Sequence, residues 1–283
     1  MVTTNDITEL NIELFEIWSS YNGKITDKNG KAISPFLSPC YLSETFAIET
    51  CKLLIIGINP SYSYKNWEIV INQINPDENN LPEGLRALHE GLNIPNISVQ
   101  DKHNLIDDYC TFTIDNNIID DITWLDRLAA DEEEGVQYFV KMHELANMLN
   151  LGIDQWRHID IFYYRETNQN KVKELMKHNE PFFDAQRDLT LKIIKQLKPS
   201  TILVSNAFAG SNFKRMFSDD DRSFINQYPI CESKGTHLMK IGAKENVPVF
   251  FSGMLSGQRA LDLGSYERLK WHMKAVADGK SMI

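Results

Sequence analysis

Four short apolar runs, separated by helical patterns, constrain this chain more than any other feature. Leu53-Leu54-Ile55-Ile56-Gly57-Ile58 stops at Asn59-Pro60-Ser61, and similar runs span His158 to Tyr164, Thr201 to Ser205 and Val247 to Ser252. A short run that is apolar at successive positions, not alternate ones, suits a strand covered on both faces. Between the runs, Val136 to Asn150, Pro181 to Leu197 and Tyr266 to Ala277 carry helical spacing, and Pro199 stops the second because its ring cannot continue a helix. Strands alternating with helices predict a three-layer α/β/α fold around a central, mostly parallel four-stranded sheet. A further helix is predicted at the N-terminus through Tyr21, with Ile7, Leu10, Ile12, Leu14, Phe15 and Trp18 at roughly helical spacing and a stop near Asn22-Gly23.

With no repeat and no Ser/Gly-rich linker, residues 1–283 read as one domain carrying an insertion around 66–135. That insertion resists the strand and helix templates. It is rich in Asn, Asp and Pro, and only pieces such as Gly84 to Leu92 are periodic. It also holds most of the acidity: of a net charge of −10, the stretch from Asp101 to Gly135 contributes eleven carboxylates against two basic residues. Such a balance argues against a broad basic nucleic-acid surface, and the run Asp131 to Glu134 suits a solvated helix start. No apolar run approaches the ~20 residues that cross a bilayer, so no membrane partner is expected and the location read is cytoplasmic. Cys40, Cys51, Cys110 and Cys231 are scattered, without a C-x-x-C pair, and read as free thiols.

In an open parallel sheet, ligands bind beyond the carboxyl ends of the strands. The candidate segments are therefore Asn59 to Tyr64, Asp160 to Asn168, Ser205 to Gly210 and Ser252 to Arg259. Common motifs are missing: there is no G-x-G-x-x-G, no Walker loop, no H-E-x-x-H and no nucleophile elbow at Gly253 to Gly257. No metal or cofactor is expected.

The blocks that do stand out resemble the uracil-DNA glycosylase superfamily. Gly57-Ile58-Asn59-Pro60-Ser61 is similar to its first motif, closest to the form found in the mismatch-specific and thymine-DNA glycosylase branch. His158 to Asn168, Asn179 to Pro199 with Ile202 to Ala209, and Phe250 to Arg259 with the helix through Met273 follow in that superfamily's order. The resemblance implies a glycosylase that flips a damaged or mismatched nucleotide out of DNA and hydrolyses its N-glycosidic bond. It implies catalytic roles for Asn59, which would position the attacking water, and for Ser252. It implies base contacts from Gly57, Ile58, Pro60, Tyr62, Tyr64, Asp160 and Asn168; Trp67, otherwise read as a packing residue, lies close enough to the first motif to be a further stacking candidate. It implies DNA contacts from Ser61, Ser205, Asn206, Gly253, Met254, Leu255, Ser256 and Arg259, with Met254 or Leu255 as an apolar wedge and Arg268 and Lys270 near phosphates. DNA containing a damaged or mismatched base is the implied partner, and no obligate protein partner is evident.

Two departures from the pattern are visible. Asp160 stands where many relatives carry an Asn that reads uracil, and an ionised Asp can only accept hydrogen bonds, so it favours an amino or ring N–H group. Ser252-Gly253-Met254-Leu255-Ser256 lacks the His-Pro-Ser or Asn-Pro-Ser of the second motif. Both leave a second expectation open, a catalytically inactive or repurposed member of the fold that binds a free base, nucleoside or nucleotide.

Overall fold

The computed structural model describes residues 4–21, 23–33, 51–59, 64–79, 81–110, 138–152, 155–217, 236–241, 244–257 and 260–279. Among them β1 (Leu53–Gly57), β2 (Trp156–Asp160), β3 (Thr201–Ser205), β4 (Thr236–Ile241) and β5 (Lys244–Ser252) form one sheet in the order β2-β1-β3-β5-β4. Pairings β1–β2, β1–β3 and β3–β5 are parallel, and they join the four strands expected from the apolar runs. The antiparallel edge strand β4, paired to β5, is an addition to those four.

Alternate residues of the inner strands serve two cores, as the period of two requires. Leu54, Ile56, Ile159, Ile202, Val204 and Val249 pack against α1 (Thr4–Tyr21), α6 (Gln169–His178), α7 (Glu180–Leu197) and α8 (Ala207–Arg215). Leu53, Ile55, Trp156, Leu203 and Phe250 pack on the other face against α5 (Val140–Met148) and α9 (Leu263–Ala277). This is a three-layer α/β/α arrangement. Each inner-strand Ile or Leu is fully buried, worth roughly 1.5–3 kcal/mol per side chain.

Local chemistry sets the element ends. Lys198 ends α7 in the left-handed conformation at φ 44°, directly before Pro199. Asp262 starts α9 by accepting from the Ser265 N–H at 2.9 Å, three residues earlier than the apolar spacing implies. The second strand is shorter than His158 to Tyr164. Ile161 and Phe162 still donate to Gly57 and Ile58 carbonyls, at 3.2 and 2.9 Å. Beyond them α7 takes over the backbone, with Gln186 Oε1 accepting from Tyr163 N–H at 2.8 Å and Thr190 Oγ1 donating to the Ile161 carbonyl at 2.9 Å.

The insertion is more ordered than its composition implies. Residues α2 (Tyr64–Asn72), α3 (Glu83–Leu92) and α4 (Val99–Cys110) enclose a third core of Trp67, Val70, Ile71, Ile74, Leu81, Leu85, Leu88, Leu92 and Ile106. The acidic run Asp131 to Glu134 lies outside the described residues. No helix among the described residues is long and apolar enough to cross a membrane.

Candidate functional site

The strand order fixes where a ligand can sit. From β1 the chain goes to β2 on one side, through α5 on one face; from β2 it returns across to β3 through α6 and α7 on the other face. The two crossovers leave in opposite directions, so the carboxyl ends of β1 and β3 form the switch point where open α/β sheets bind ligands.

Asn59 stands at this edge, two residues beyond β1. Its Nδ2 donates to the backbone carbonyls of Glu166 at 2.7 Å and Tyr164 at 3.2 Å. Both amide protons are thereby directed at the β2 exit loop, which fixes the plane of the carboxamide and turns its oxygen the opposite way. A carboxylate at this position would confront two carbonyl oxygens instead of donating to them, so the site requires the amide. The loop it holds carries Tyr164, buried, its phenol pushed up to about 12 by burial and then by the Glu166 carboxylate. It also carries Arg165, whose guanidinium lies 5.4 Å from the centre of the Trp67 ring in α2. The insertion is thus tied to the Asn59 loop.

Asp160 lies on the α5 side of the sheet, directly across from Gly57 in the β1–β2 register. A Cβ at position 57 would stand 2.1 Å from Asp160 Oδ1, so the glycine is what lets the carboxylate cross the strand. His158 Nε2 is 3.9 Å from that oxygen and 3.3 Å from the Tyr138 hydroxyl. Burial pushes the His158 imidazole down to about 4, so it is neutral near pH 7. Burial and then the Asp160 charge push the Tyr138 phenol up, which keeps it protonated. Phe139 closes the group edge-on to His158, with ring centres 5.6 Å apart.

The remaining candidates fall into two kinds. Asn206 and Asn168 are helix caps: Asn206 Oδ1 accepts from Phe208 N–H at 2.7 Å and Ala209 N–H at 3.3 Å, and Asn168 Oδ1 from Asn170 N–H at 3.0 Å. Asn206 Oδ1 also accepts from Gln169 Nε2 at 3.1 Å, which joins α6 to α8 at the carboxyl end of β3. Ser205 is buried with its hydroxyl 3.5 Å from the Ile56 carbonyl, in the floor between β1 and β3. These residues build the edge and hold its helices.

The loop after β5 is turned in on itself. Ser252 Oγ donates to the Gly253 carbonyl at 2.9 Å, and the Leu261 N–H returns to the Met254 carbonyl at 2.8 Å. Leu255 is buried in the core between the sheet and α9, so of the two wedge candidates only Met254 retains partial exposure. Ser256 is half-buried nearby. Tyr64 is engaged within the insertion, its ring stacked on His103 at 3.7 Å and its hydroxyl donating to the Asp107 carboxylate at 2.9 Å. That places one face of its ring and its hydroxyl against the insertion. Pro60, Ser61, Tyr62 and Arg259 lie outside the described residues.

Arg268 and Lys270 are on α9, with Lys270 paired to Glu267 at 2.7 Å. Among the described residues no three His, Cys, Asp or Glu side chains gather to hold a metal ion. Two participants escaped sequence reasoning, Tyr138 and His158. His158 was readable only as the start of an apolar run, and the i, i+2 spacing to Asp160 was the one signal that both share a sheet face. No family model matches the chain, and no curated protein matches it.

Proposed function

We propose that this chain is a DNA-repair glycosylase of the uracil-DNA glycosylase type, hydrolysing the N-glycosidic bond of a damaged or mismatched base. The observation that carries the reading is the anchoring of Asn59: both amide protons are spent on the Tyr164 and Glu166 carbonyls at the switch point of the sheet. An amide held in this way keeps its oxygen in one direction, which is what positioning a nucleophilic water demands. It cannot act as a strong base, so the rate enhancement comes from placement and from stabilising the departing base.

The test is single-turnover release of base from single- and double-stranded oligonucleotides carrying uracil, hypoxanthine, an oxidised guanine or a G·T mismatch. Abasic product from the wild type that is lost in Asn59→Ala supports the reading. No product from any substrate, with DNA affinity absent at low salt, overturns it, because phosphate contacts make such binding strongest there.

A second reading has its own observation. Ser252 bonds its own loop and Leu255 sits in the core, so the loop after β5 offers neither a free hydroxyl nor an apolar wedge from those two residues. A protein that binds a base or nucleoside without excising it fits that loop. Thermal stabilisation by free nucleosides without any abasic product would select this reading.

A further inference from the structure

We infer that Gln186 and Thr190, on α7, are positioning residues for Asn59: they clamp Tyr163 and through it set the direction of the Asn59 carboxamide. This deepens the proposed function, on which the catalytic consequence rests.

Along α7, Phe182, Phe183, Leu189, Ile193, Ile194 and Leu197 fill the core, and Gln186 and Thr190 interrupt that apolar set while being fully buried themselves. Their spacing of four puts both on one side of the helix, one turn apart. A buried amide and a buried hydroxyl are costly unless their polar atoms are met, and apolar residues of similar size would avoid the cost. Both direct their hydrogen bonds at the chain leaving β2. Gln186 Oε1 accepts from Tyr163 N–H at 2.8 Å while its Nε2 donates to the Phe182 carbonyl at 3.2 Å, so the amide is held at both ends. Thr190 Oγ1 gives its one proton to the Ile161 carbonyl at 2.9 Å, and the Tyr163 hydroxyl lies 3.2 Å from the same oxygen, where it can donate. Tyr163 is thus gripped at its backbone and at the far end of its side chain.

The next residues in the chain give this clamp its consequence. The Tyr164 and Glu166 carbonyls, directly after Tyr163, are the ones to which Asn59 Nδ2 donates, at 3.2 and 2.7 Å. Ile161 and Phe162 still bond to the Gly57 and Ile58 carbonyls, so Tyr163 is a fixed point between the end of that ladder and the acceptors of Asn59. Peptide units are rigid and joined by two soft dihedrals per residue. A displaced Tyr163 therefore carries the Tyr164 carbonyl with it, and a turned carbonyl turns the carboxamide that donates to it.

The test uses the full chain and two readouts. The first is proton exchange of the Asn59 carboxamide, followed by NMR with nitrogen-labelled asparagine and assigned by loss of the signal in Asn59→Ala; it needs no substrate. The second is single-turnover base release from the oligonucleotides named above, with apparent affinity alongside. Gln186→Leu and the isosteric Thr190→Val should each speed the exchange roughly tenfold and slow release roughly tenfold with affinity unchanged. Thr190→Ser, which keeps the hydroxyl, should restore both, and the Thr190 pair decides the matter if Gln186→Leu does not fold. The double variant Asn59→Ala/Gln186→Leu should be no slower than Asn59→Ala, since the clamp acts through a group already removed; residues that merely stabilise the fold would add their losses. Unchanged exchange in folded Gln186→Leu and Thr190→Val, or losses that add in the double variant, overturns the inference while leaving Asn59-dependent release standing. If the wild type releases no base, the proposed function falls, and the exchange readout alone upholds or overturns the inference.

Discussion

The loops that leave β1 and β5 end parallel strands of the same sheet, yet they are built on opposite plans. The β1 exit reaches outward: Asn59 spans to a loop more than a hundred residues away in sequence, bonding Tyr164 and Glu166 carbonyls, and Gly57 makes room for Asp160 from the neighbouring strand. The β5 exit closes on itself, through Ser252 to Gly253 and Leu261 to Met254, with Leu255 sunk in the core. A loop held by non-local hydrogen bonds has its geometry dictated by the sheet; a loop that satisfies itself tolerates change. Function is expected at the first and not at the second.

Substitution at the two polar residues separates these plans most strongly. Asn59→Ala removes both donors and frees the β2 exit loop, and a loss of order 10²-fold in single-turnover excision is expected for a misplaced nucleophile. Asn59→Asp should lose activity as well, because its carboxylate meets two carbonyl oxygens. Ser252→Ala breaks only a part-buried bond to the adjacent residue and should change the rate less than about threefold, within what one such hydrogen bond is worth. A Ser252 variant as damaged as Asn59→Ala would erase the contrast.

The paired glycines give the next largest difference, read by denaturant unfolding. Gly57→Ala forces a Cβ against a buried carboxylate and should cost about 1–3 kcal/mol, the range of overpacking a tight site. Gly253→Ala meets Leu261 Cδ2 at 3.0 Å, the far end of a flexible side chain, and should cost less than about 1 kcal/mol. Equal losses would show that Asp160 yields as readily as Leu261.

Acid distinguishes the surroundings of the two loops through His158 in β2 and His272 in α9. Burial holds His158 down to about 4, and half-buried His272, beside Phe250, is lowered less strongly by the same cause. In the unfolded chain both take a proton near pH 6.5. Between pH 6.5 and 4 the unfolded state therefore binds more protons than the folded one, and stability falls as pH drops through that window. The slope from His158 is at most about 1.4 kcal/mol per pH unit. His158→Asn should flatten the profile between pH 6.5 and 4, and His272→Asn should flatten it less; measuring unfolding midpoints across that window checks the order.

The sheet was readable because each strand of the parallel set is a continuous apolar run, a pattern that needs no partner to be seen. The insertion was not. Trp67, Val70, Ile71 and Ile74 do recur at helical spacing, but the helices are short, α3 starts after Pro82 without a side-chain cap bond, and their core forms only when three of them meet. At the site, Asn59 was legible as a residue type after a strand. Its restraint by carbonyls of residues 164 and 166 was not, since backbone acceptors leave no mark in sequence. The Gly57–Asp160 contact and the Tyr138–His158 pair likewise depend on register between strands and on the approach of α5. Leu255 misled for the reverse reason: an apolar residue beside a glycine looks the same whether it projects or packs.

The smallest predicted effect concerns the clamp behind the β1 exit. Arg165 sits between the two residues whose carbonyls hold Asn59, and its guanidinium lies over Trp67 of the insertion. Arg165→Lys keeps the charge but loses the planar contact, which is worth about 1 kcal/mol in a partly desolvated setting. If the insertion only shields the sheet, the substitution should lower stability by that amount and leave excision unchanged. If it steadies the Asn59 loop, the single-turnover rate should fall a few-fold while the apparent affinity for the oligonucleotide holds. No comparable contact links the insertion to the loop after β5 among the described residues, so a rate effect at Arg165 would place the insertion with the first loop and complete the contrast between the two.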